Sequence, residues 1–372
     1  MLYIHVPFCA QRCIYCDFYT TTKGRDVRQQ YVVALCKEIS TRANELPSRH
    51  LESIYFGGGT PSLLTESDFA KIFDTISQVF SFSSDTEITV ESNPDDISPS
   101  YISMLRQFQV NRLSMGVQSF NQKQLGFLRR RHTAEQALQA IDNCITGGIN
   151  NISIDLIYGL PHQTLADWEQ DIEIALSTPI THLSAYSLIY EEKTPLYRMR
   201  AAGQVQEAEE GLSYAMYEAL LNATSRADWE HYEISNFSKQ GLRSRHNSAY
   251  WKGVPYLGCG PAAHSFNGKV RRHNHPSVTQ YNLHIGSPPH EVETLSVTDC
   301  INERLLTALR MSDGLSLSKF TSDFGELAKE RLLHLAQRHL RAHNLQLNSD
   351  TLSLSRKGFF VSDDIISDLM EV

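Results

Sequence analysis

Apolar positions recur every second residue in short stretches and every third or fourth in longer ones. The two patterns alternate through the first half of the chain. "MLYIHV", "SIYFGGG", "TEITVESNP", "RLSMGVQSF", "NISIDLIYG" and "HLSAYSLIY" read as strands. Between them, "RQQYVVALCKEISTRANEL", "ESDFAKIFDTISQVF", "SPSYISMLRQF", the stretches Gln122–Leu128 and Ala134–Thr146, and "LADWEQDIEIAL" read as helices. Strands alternating with helices at this spacing predict parallel strands joined by right-handed crossovers, an α/β fold. A complete TIM barrel needs eight such units. The count here is six, which leaves an open doubly wound sheet or a partial (β/α)6 barrel.

The pattern changes twice further on. After a helical stretch, "AEEGLSYAMYEALLNAT", the chain from Arg226 to Tyr281 is rich in Gly, His and aromatic residues, with weak periodicity. From about Thr298 two helices, "DCINERLLTALRMS" and "ELAKERLLHLAQRHLRAH", precede the short strands "LQLN" and "LSLS" and a last helix. That order predicts a small winged-helix-like domain. The expected division is a barrel over 1–225, a connecting segment over 226–297 and a C-terminal domain over 298–372.

Charge narrows the function classes. The net charge of −8 and the mixed charges on the C-terminal helices disfavour nucleic acid. No run of about 18 apolar residues predicts a membrane span, and the start of the chain shows no leader pattern. Seven cysteines, four of them scattered, do not make a disulfide framework. A reducing, cytoplasmic setting is expected.

The other three cysteines carry the chemistry. In "HVPFCAQRCIYCDFYT", Cys9, Cys13 and Cys16 fall within eight positions, in a loop that also holds Gln11 and Arg12. A structural zinc site wants four ligands, and neither this spacing nor the rest of the chain supplies paired CxxC units, although His5 is a candidate fourth ligand. Buried core thiols fit a polar loop poorly. An iron–sulfur cluster normally takes four thiolates, so three leave one iron open to a further ligand. Polar residues also gather at the ends of the predicted strands: Gly57, Gly58 and Gly59 in "FGGGTPS", Glu91 in "TVESNP", Gln118 in "MGVQSF" and Asp155 in "NISIDLIYGLP". Each alone suits a turn or a cap. Together they ring the C-terminal face on which β/α barrels build their sites.

The triplet "CAQRCIYC", with an aromatic residue before its third cysteine, resembles the signature of the radical S-adenosylmethionine family. "YIHVPFC", "FGGGTPS", "GVQSF" and "IDLIYGLP" are similar to the oxygen-independent coproporphyrinogen oxidase group within it. The resemblance implies a partial (β/α)6 barrel and a 4Fe–4S cluster held by Cys9, Cys13 and Cys16, with S-adenosylmethionine on the open iron. It implies Tyr3 and Tyr15 beside the adenosyl group, and Gly58, Gly59 and Thr60 at the methionine end. Glu91, Gln118, Arg130 and Asp155 complete the implied site. Arg129 and Arg131 flank Arg130 in "LRRRHT", and the run also reads as a solvated helix end.

Two departures separate the chain from the oxidases. Phe18 stands where they carry a further cysteine, and the chain starts at the first strand where they carry an extension. Both features resemble a sister branch regarded as heme chaperones, which also carries an HNxxYW motif. Here that motif is "HNSAYW", His246 to Trp251. Heme wants an axial imidazole and a flat apolar pocket, and His246 with Tyr250 and Trp251 is the implied site. The other reading of those residues is a turn cap with packed aromatics. His264, His273, His275 and Cys259 are rival ligands. Cys36 and Cys144 read as small core residues. The expectation is a protein that carries heme to apo-hemoproteins of the respiratory chain, with peripheral membrane contact and a homodimer admitted by the resemblance. The rival expectations are oxidative decarboxylation of coproporphyrinogen III and radical chemistry on another substrate.

Overall fold

The structure, a computed structural model, describes residues 1–370; the last two positions of the expected C-terminal domain, 371–372, lie outside them. Six parallel strands follow one another in sequence order: β1 (Leu2–Val6), β2 (Ser53–Gly58), β3 (Glu87–Ser92), β4 (Arg112–Gln118), β5 (Asn151–Tyr158) and β6 (His182–Ser187). The crossovers are α1 (Arg25–Arg42), α2 (Glu66–Val79), α3 (Pro99–Gln107), the pair α4 (Gln122–Phe127) and α5 (Ala134–Thr146), and α6 (Leu165–Ser177). Their starts are chemically specified. Thr65 with Asp68, Thr133 with Gln136 and Thr164 with Asp167 form reciprocal capping boxes at α2, α5 and α6. The partial six-unit barrel expected from the sequence is the fold observed.

The strands alternate strictly. Leu2, Ile4 and Val6, Ile54 and Phe56, Ile88 and Val90, Leu113, Met115 and Val117, Ile152, Ile154 and Leu156, and Leu183 and Ala185 all join the apolar core under the helices. The intervening residues face the other way, as the two-residue repeat of a strand requires. They are Tyr3 and His5, Ser53 and Tyr55, Glu87, Thr89 and Glu91, Arg112, Ser114 and Gln118, Ser153 and Asp155, and His182 and Ser184. The barrel therefore has a polar lumen, in which each buried polar group needs a partner.

The segment expected to be irregular extends this sheet at both edges. After α7 (Pro195–Ala201) and α8 (Glu210–Arg226), β7 (Glu230–Glu233) pairs with β8 (Asn236–Ser238), and β8 runs antiparallel to β6. α9 (Arg245–Trp251) follows, and β9 (Leu257–Cys259) then adds in parallel to β1. The sheet has nine strands, ordered β7-β8-β6-β5-β4-β3-β2-β1-β9. A separate antiparallel sheet holds β10 (His264–Phe266), β11 (Val270–Asn274) and β12 (His290–Thr294). These strands are too short for a periodic signal and are held largely by polar contacts.

The main polar contact is Glu38, which is fully buried on α1. Oε1 accepts from Arg42 Nη1 at 2.7 Å and Asn274 Nδ2 at 2.7 Å. Oε2 accepts from the Gly260 N–H at 2.9 Å and the Tyr281 hydroxyl at 2.5 Å. One carboxylate thus ties α1 to the end of β9, to β11 and to α10 (Val278–Leu283).

The C-terminal part runs α11 (Val297–Leu309), β13 (Leu315–Ser316), α12 (Leu317–Phe324), α13 (Glu326–Arg341), β14 (Leu345–Asn348), β15 (Thr351–Leu354), α14 (Arg356–Phe360) and α15 (Ser362–Leu369). A three-stranded sheet ordered β13-β15-β14 gives it the winged-helix-like form expected. The sequence reading lacked α12 and β13 and merged α14 with α15. Among the described residues no helix is long and apolar enough to cross a membrane.

Removing Glu38 leaves Arg42 paired with Glu45 but takes the acceptor from Gly260 N–H, Asn274 and Tyr281; breaking a buried pair of this kind costs about 3–5 kcal/mol. Glu38→Ala is expected to lose that much stability in chemical denaturation. A loss below about 1 kcal/mol, the range of exposed pairs, contradicts the role given to Glu38.

Candidate functional site

The cysteine loop leaves the C-terminal end of β1, and the glycine turn leaves β2 beside it. Gly59 N–H donates to Val6 O at 2.8 Å and Thr60 N–H to Phe8 O at 2.7 Å, so the turn runs along the root of the loop. A Cβ on Gly59 would stand 2.8 Å from both carbonyl oxygens. Gly58 has φ +105°, and a Cβ there would strike the His5 ring. Side chains are excluded from this turn on both counts.

Cys9, Cys13 and Cys16 are partly exposed free thiols. The Thr60 hydroxyl donates to Cys9 Sγ at 3.5 Å, and Arg130 Nη1 donates to Cys13 Sγ at 3.2 Å. Such donors stabilise thiolates. Among the described residues no three His, Cys, Asp or Glu side chains converge as a single metal ion requires. The donor set of three neighbouring thiols, with donors on two of them, fits a cluster that takes one thiolate per iron. His5, the candidate fourth ligand, has both ring nitrogens engaged: Nδ1 with Tyr3 Oη at 3.1 Å and Nε2 with Tyr19 O at 3.0 Å.

Within "LRRRHT", Arg130 is the arginine that turns towards the cysteine loop, through Cys13. Its Nη2 donates to Asn93 Oδ1 and Gly116 O, both at 2.6 Å, while Nε is buried without a partner. Arg131 pairs instead with Asp95 and Asp96 at the surface. Gln118 lies at a bulge of β4 in the left-handed region, φ 71°. Gly116 makes room for it, since a Cβ there would meet Gln118 Nε2 at 2.8 Å and Arg130 Nη2 at 3.3 Å.

Glu91 accepts from the Tyr55 hydroxyl at 2.8 Å and from Gly58 N–H at 3.0 Å. Burial is the main cause that pushes its carboxyl up from 4.5 to about 7; Asp155 adds to the shift, while Tyr55, Gly58 and Arg112 oppose it. Burial likewise pushes Asp155 up to about 6, against Ser184, Arg112 and Arg130. A cationic group placed beside these two buried carboxyls would favour their ionised forms. Tyr15 sits next to Cys13 and Arg130, and Tyr3 lies within the β1 wall.

The HNxxYW motif occupies the opposite end of the lumen. The N–H groups of Arg245 and His246 donate to the Glu87 carboxylate, at 3.0 and 2.9 Å. The His246 ring is buried, stacks on Tyr55 at 4.9 Å, and bonds through Nδ1 to Ser53 Oγ at 2.7 Å and through Nε2 to Tyr250 Oη at 2.9 Å. Burial lowers its pKa to about 3. Both nitrogens are spent, so the ring as placed has none to offer to iron. The motif plugs the lumen from below, while Tyr250 and Trp251 project into a neighbouring cavity of about 1000 Å³. Phe18, 61% exposed, lines the same cavity. Cys259 is buried at the end of β9, and His275 lies beside Glu291 at 3.7 Å. Tyr55, Arg112 and Asn93 were missed from the sequence. For Tyr55 and Arg112 the signal was the inward member of the strand alternation; Asn93 lies just past the end of β3.

Comparison with known proteins fits this geometry. Residues 3–175 match the radical SAM superfamily and residues 295–361 match the HemN C-terminal domain. The structure superposes on coproporphyrinogen III oxidase (HemN) of Escherichia coli, a radical SAM enzyme, with a TM-score of 0.86 over 99% of this chain and 89% of that one. Identity is 22%, so this likeness speaks for the fold. The heme chaperone HemW of Bacillus subtilis is 35% identical over 89% of this chain and 92% of its own length. HemW of Lactococcus lactis is 32% identical over 98% and 95%. The chain belongs to the HemW family.

Because the Glu91 carboxyl is raised on folding, the folded ligand-free protein holds a proton that the unfolded chain releases between pH 4.5 and about 7. Stability from this group therefore falls as pH rises through that window, by on the order of 2 kcal/mol. The stability of Glu91→Gln relative to the parent is expected to rise by that order between pH 5 and pH 8 in urea titrations. A difference independent of pH contradicts a raised carboxyl.

Proposed function

We propose that the protein binds heme and passes it to apo-hemoproteins of the respiratory chain, in the cytoplasm or at the membrane surface. The observation that carries this reading is the cavity beside the cysteine loop: Phe18 stands on its wall, where the oxidases carry a further cysteine. The near full-length likeness to heme chaperones supports the same reading. The division at 225/226 and 297/298 belongs to this proposal, with the barrel as cofactor scaffold and the later segments as walls of the heme cavity. A homodimer and peripheral membrane contact are carried with it.

Within the reading, Cys9, Cys13 and Cys16 hold a 4Fe–4S cluster, and the barrel mouth holds S-adenosylmethionine. When bound and reduced, that pair supplies an electron able to cleave the sulfonium to methionine and a 5′-deoxyadenosyl radical. The chain's own residues bind and orient. Glu91, fixed by Gly58 N–H and the Tyr55 hydroxyl, receives the ammonium of the methionine end. Arg130, fixed by Asn93 and Gly116, offers its charge to the carboxylate. Gly58, Gly59 and Thr60 give that end a close backbone approach, Gln118 and Asp155 line the lumen side, and Tyr3 and Tyr15 flank the adenosyl group.

The test uses protein reconstituted anaerobically with iron and sulfide. Heme addition is expected to give a saturable Soret band, and coproporphyrinogen III with S-adenosylmethionine and reductant is expected to remain unconverted. Formation of protoporphyrinogen, or no heme binding, overturns the reading. Cys13→Ala is expected to lose the brown colour and most of the iron. Full iron content in that variant refutes the cluster assignment.

A further inference from the structure

The cavity carries a feature that the motif histidine does not. β10 and β11 pair antiparallel, with His264 opposite His273 and Phe266 opposite Arg271. Alternation puts these four side chains on one face, and all four line the cavity. Ser265 and Arg272, on the other face, point towards Arg42 and Glu45. The two imidazoles stack, 4.1 Å between centroids and 9° between planes.

Three histidines that line the barrel interior are used up. His5 and His246 each engage both ring nitrogens, and so does His182, through Ser153 at 2.7 Å and Tyr232 at 2.7 Å. Within the described residues, neither His264 nor His273 has a hydrogen-bond partner for its ring. Their nitrogens are open to a ligand in the cavity. Around them stand Trp251, Tyr256, Phe266, Leu295, Leu306 and Phe324. The volume, about 1000 Å³, is at the upper end of small-molecule pockets, ~300–1,000 Å³. The rim carries Arg271 paired with Glu303 at 2.8 Å and Arg304 near Asp323 at 3.7 Å.

We propose that this cavity is the heme site and that the stacked pair His264 and His273, in place of His246, supplies the axial ligand to the iron. The inference rests on the reading of the chain as a heme carrier and names the site of that activity. A planar apolar macrocycle buries its faces against the aromatic walls, while a neutral imidazole meets the iron. The cavity shares Tyr3, His5 and the stretch 17–19 with the root of the cysteine loop, so the heme lies next to the cluster scaffold, against the Tyr3 and His5 side of the lumen wall.

The full chain is titrated with hemin and followed at the Soret band for four proteins: the parent, His264→Ala/His273→Ala, Thr307→Trp and His275→Ala. Thr307 lines the cavity from α11, and a tryptophan there fills the space while leaving both imidazoles in place. The double variant and Thr307→Trp are each expected to weaken binding at least tenfold. His275→Ala, outside the cavity, is expected to bind as the parent does. Free imidazole is expected to restore the parent's Soret position in the double variant only. If the parent binds no hemin, the heme-carrier reading itself falls. If the parent binds while a double variant with native circular dichroism and Thr307→Trp both bind equally well, the cavity assignment falls and the carrier reading stands. Should the double variant not fold, Thr307→Trp decides alone.

Discussion

A carboxylate with no access to water must have its lone pairs filled or be expelled. Glu38 fills its own with four donors from four parts of the chain. That constraint fixes where the segment after the barrel runs. Gly260 and Asn274 must reach α1, and Tyr281 must cover it. β9 then lies against β1, and β10 and β11 follow as a wall beside the cysteine loop. Close approach tightens the arrangement: a Cβ on Gly258 would stand 1.9 Å from His264 O, and one on Gly260 would stand 2.4 Å from His5 O. Leu257, Cys259, Val278 and Tyr281 add apolar packing against the barrel core to these polar anchors, and the cavity lies between this wall and α11.

The molecule thereby keeps two compartments apart. In one, the lumen, residues are buried polar groups in mutual contact: Glu91 with Tyr55 and Gly58, Ser53 with His246, Ser153 with His182. The other is aromatic-walled, with two stacked imidazoles whose ring nitrogens have no hydrogen-bond partner among the described residues. The HNxxYW helix bridges them. His246 closes the lumen, while Tyr250 and Trp251, three and four residues on from Asn247, wall the cavity. Arg310 stacks over Trp251 at 5.0 Å and ties the helix to the C-terminal part. A hydrogen bond between Tyr250 Oη and His246 Nε2 joins the two compartments directly.

The barrel was legible because its strands and helices obey their periods. The six parallel strands and the winged-helix-like order at the C-terminus followed from spacing alone. Spacing also put Glu91, Gln118 and Asp155 at strand ends, while Tyr3, Tyr15, Thr60 and Arg130 came only from the family resemblance. The strand alternation held more than was read from it: Tyr55 and Arg112 sit at inward positions as regularly as Glu91 and Asp155. The segment after residue 226 resisted for a physical reason. Its strands are three to five residues long and its anchor, Glu38, lies nearly two hundred residues upstream, so no local pattern records the pairing. The same distance hid the role of His246, whose partners Ser53, Tyr55 and Glu87 all belong to the barrel. A motif quoted as a string suggested a ligand; placed in space, its histidine is a plug and its aromatics are a wall.

The proposed cluster and heme would put two iron centres in adjoining but separate places of one chain. Anomalous diffraction at the iron edge, from crystals of the reconstituted protein loaded with heme, distinguishes them directly. The expected result is a cluster-sized iron peak against Cys9, Cys13 and Cys16 and a second, single-iron peak within bonding distance of His264 or His273. A heme iron at His246, or inside the lumen, would contradict it.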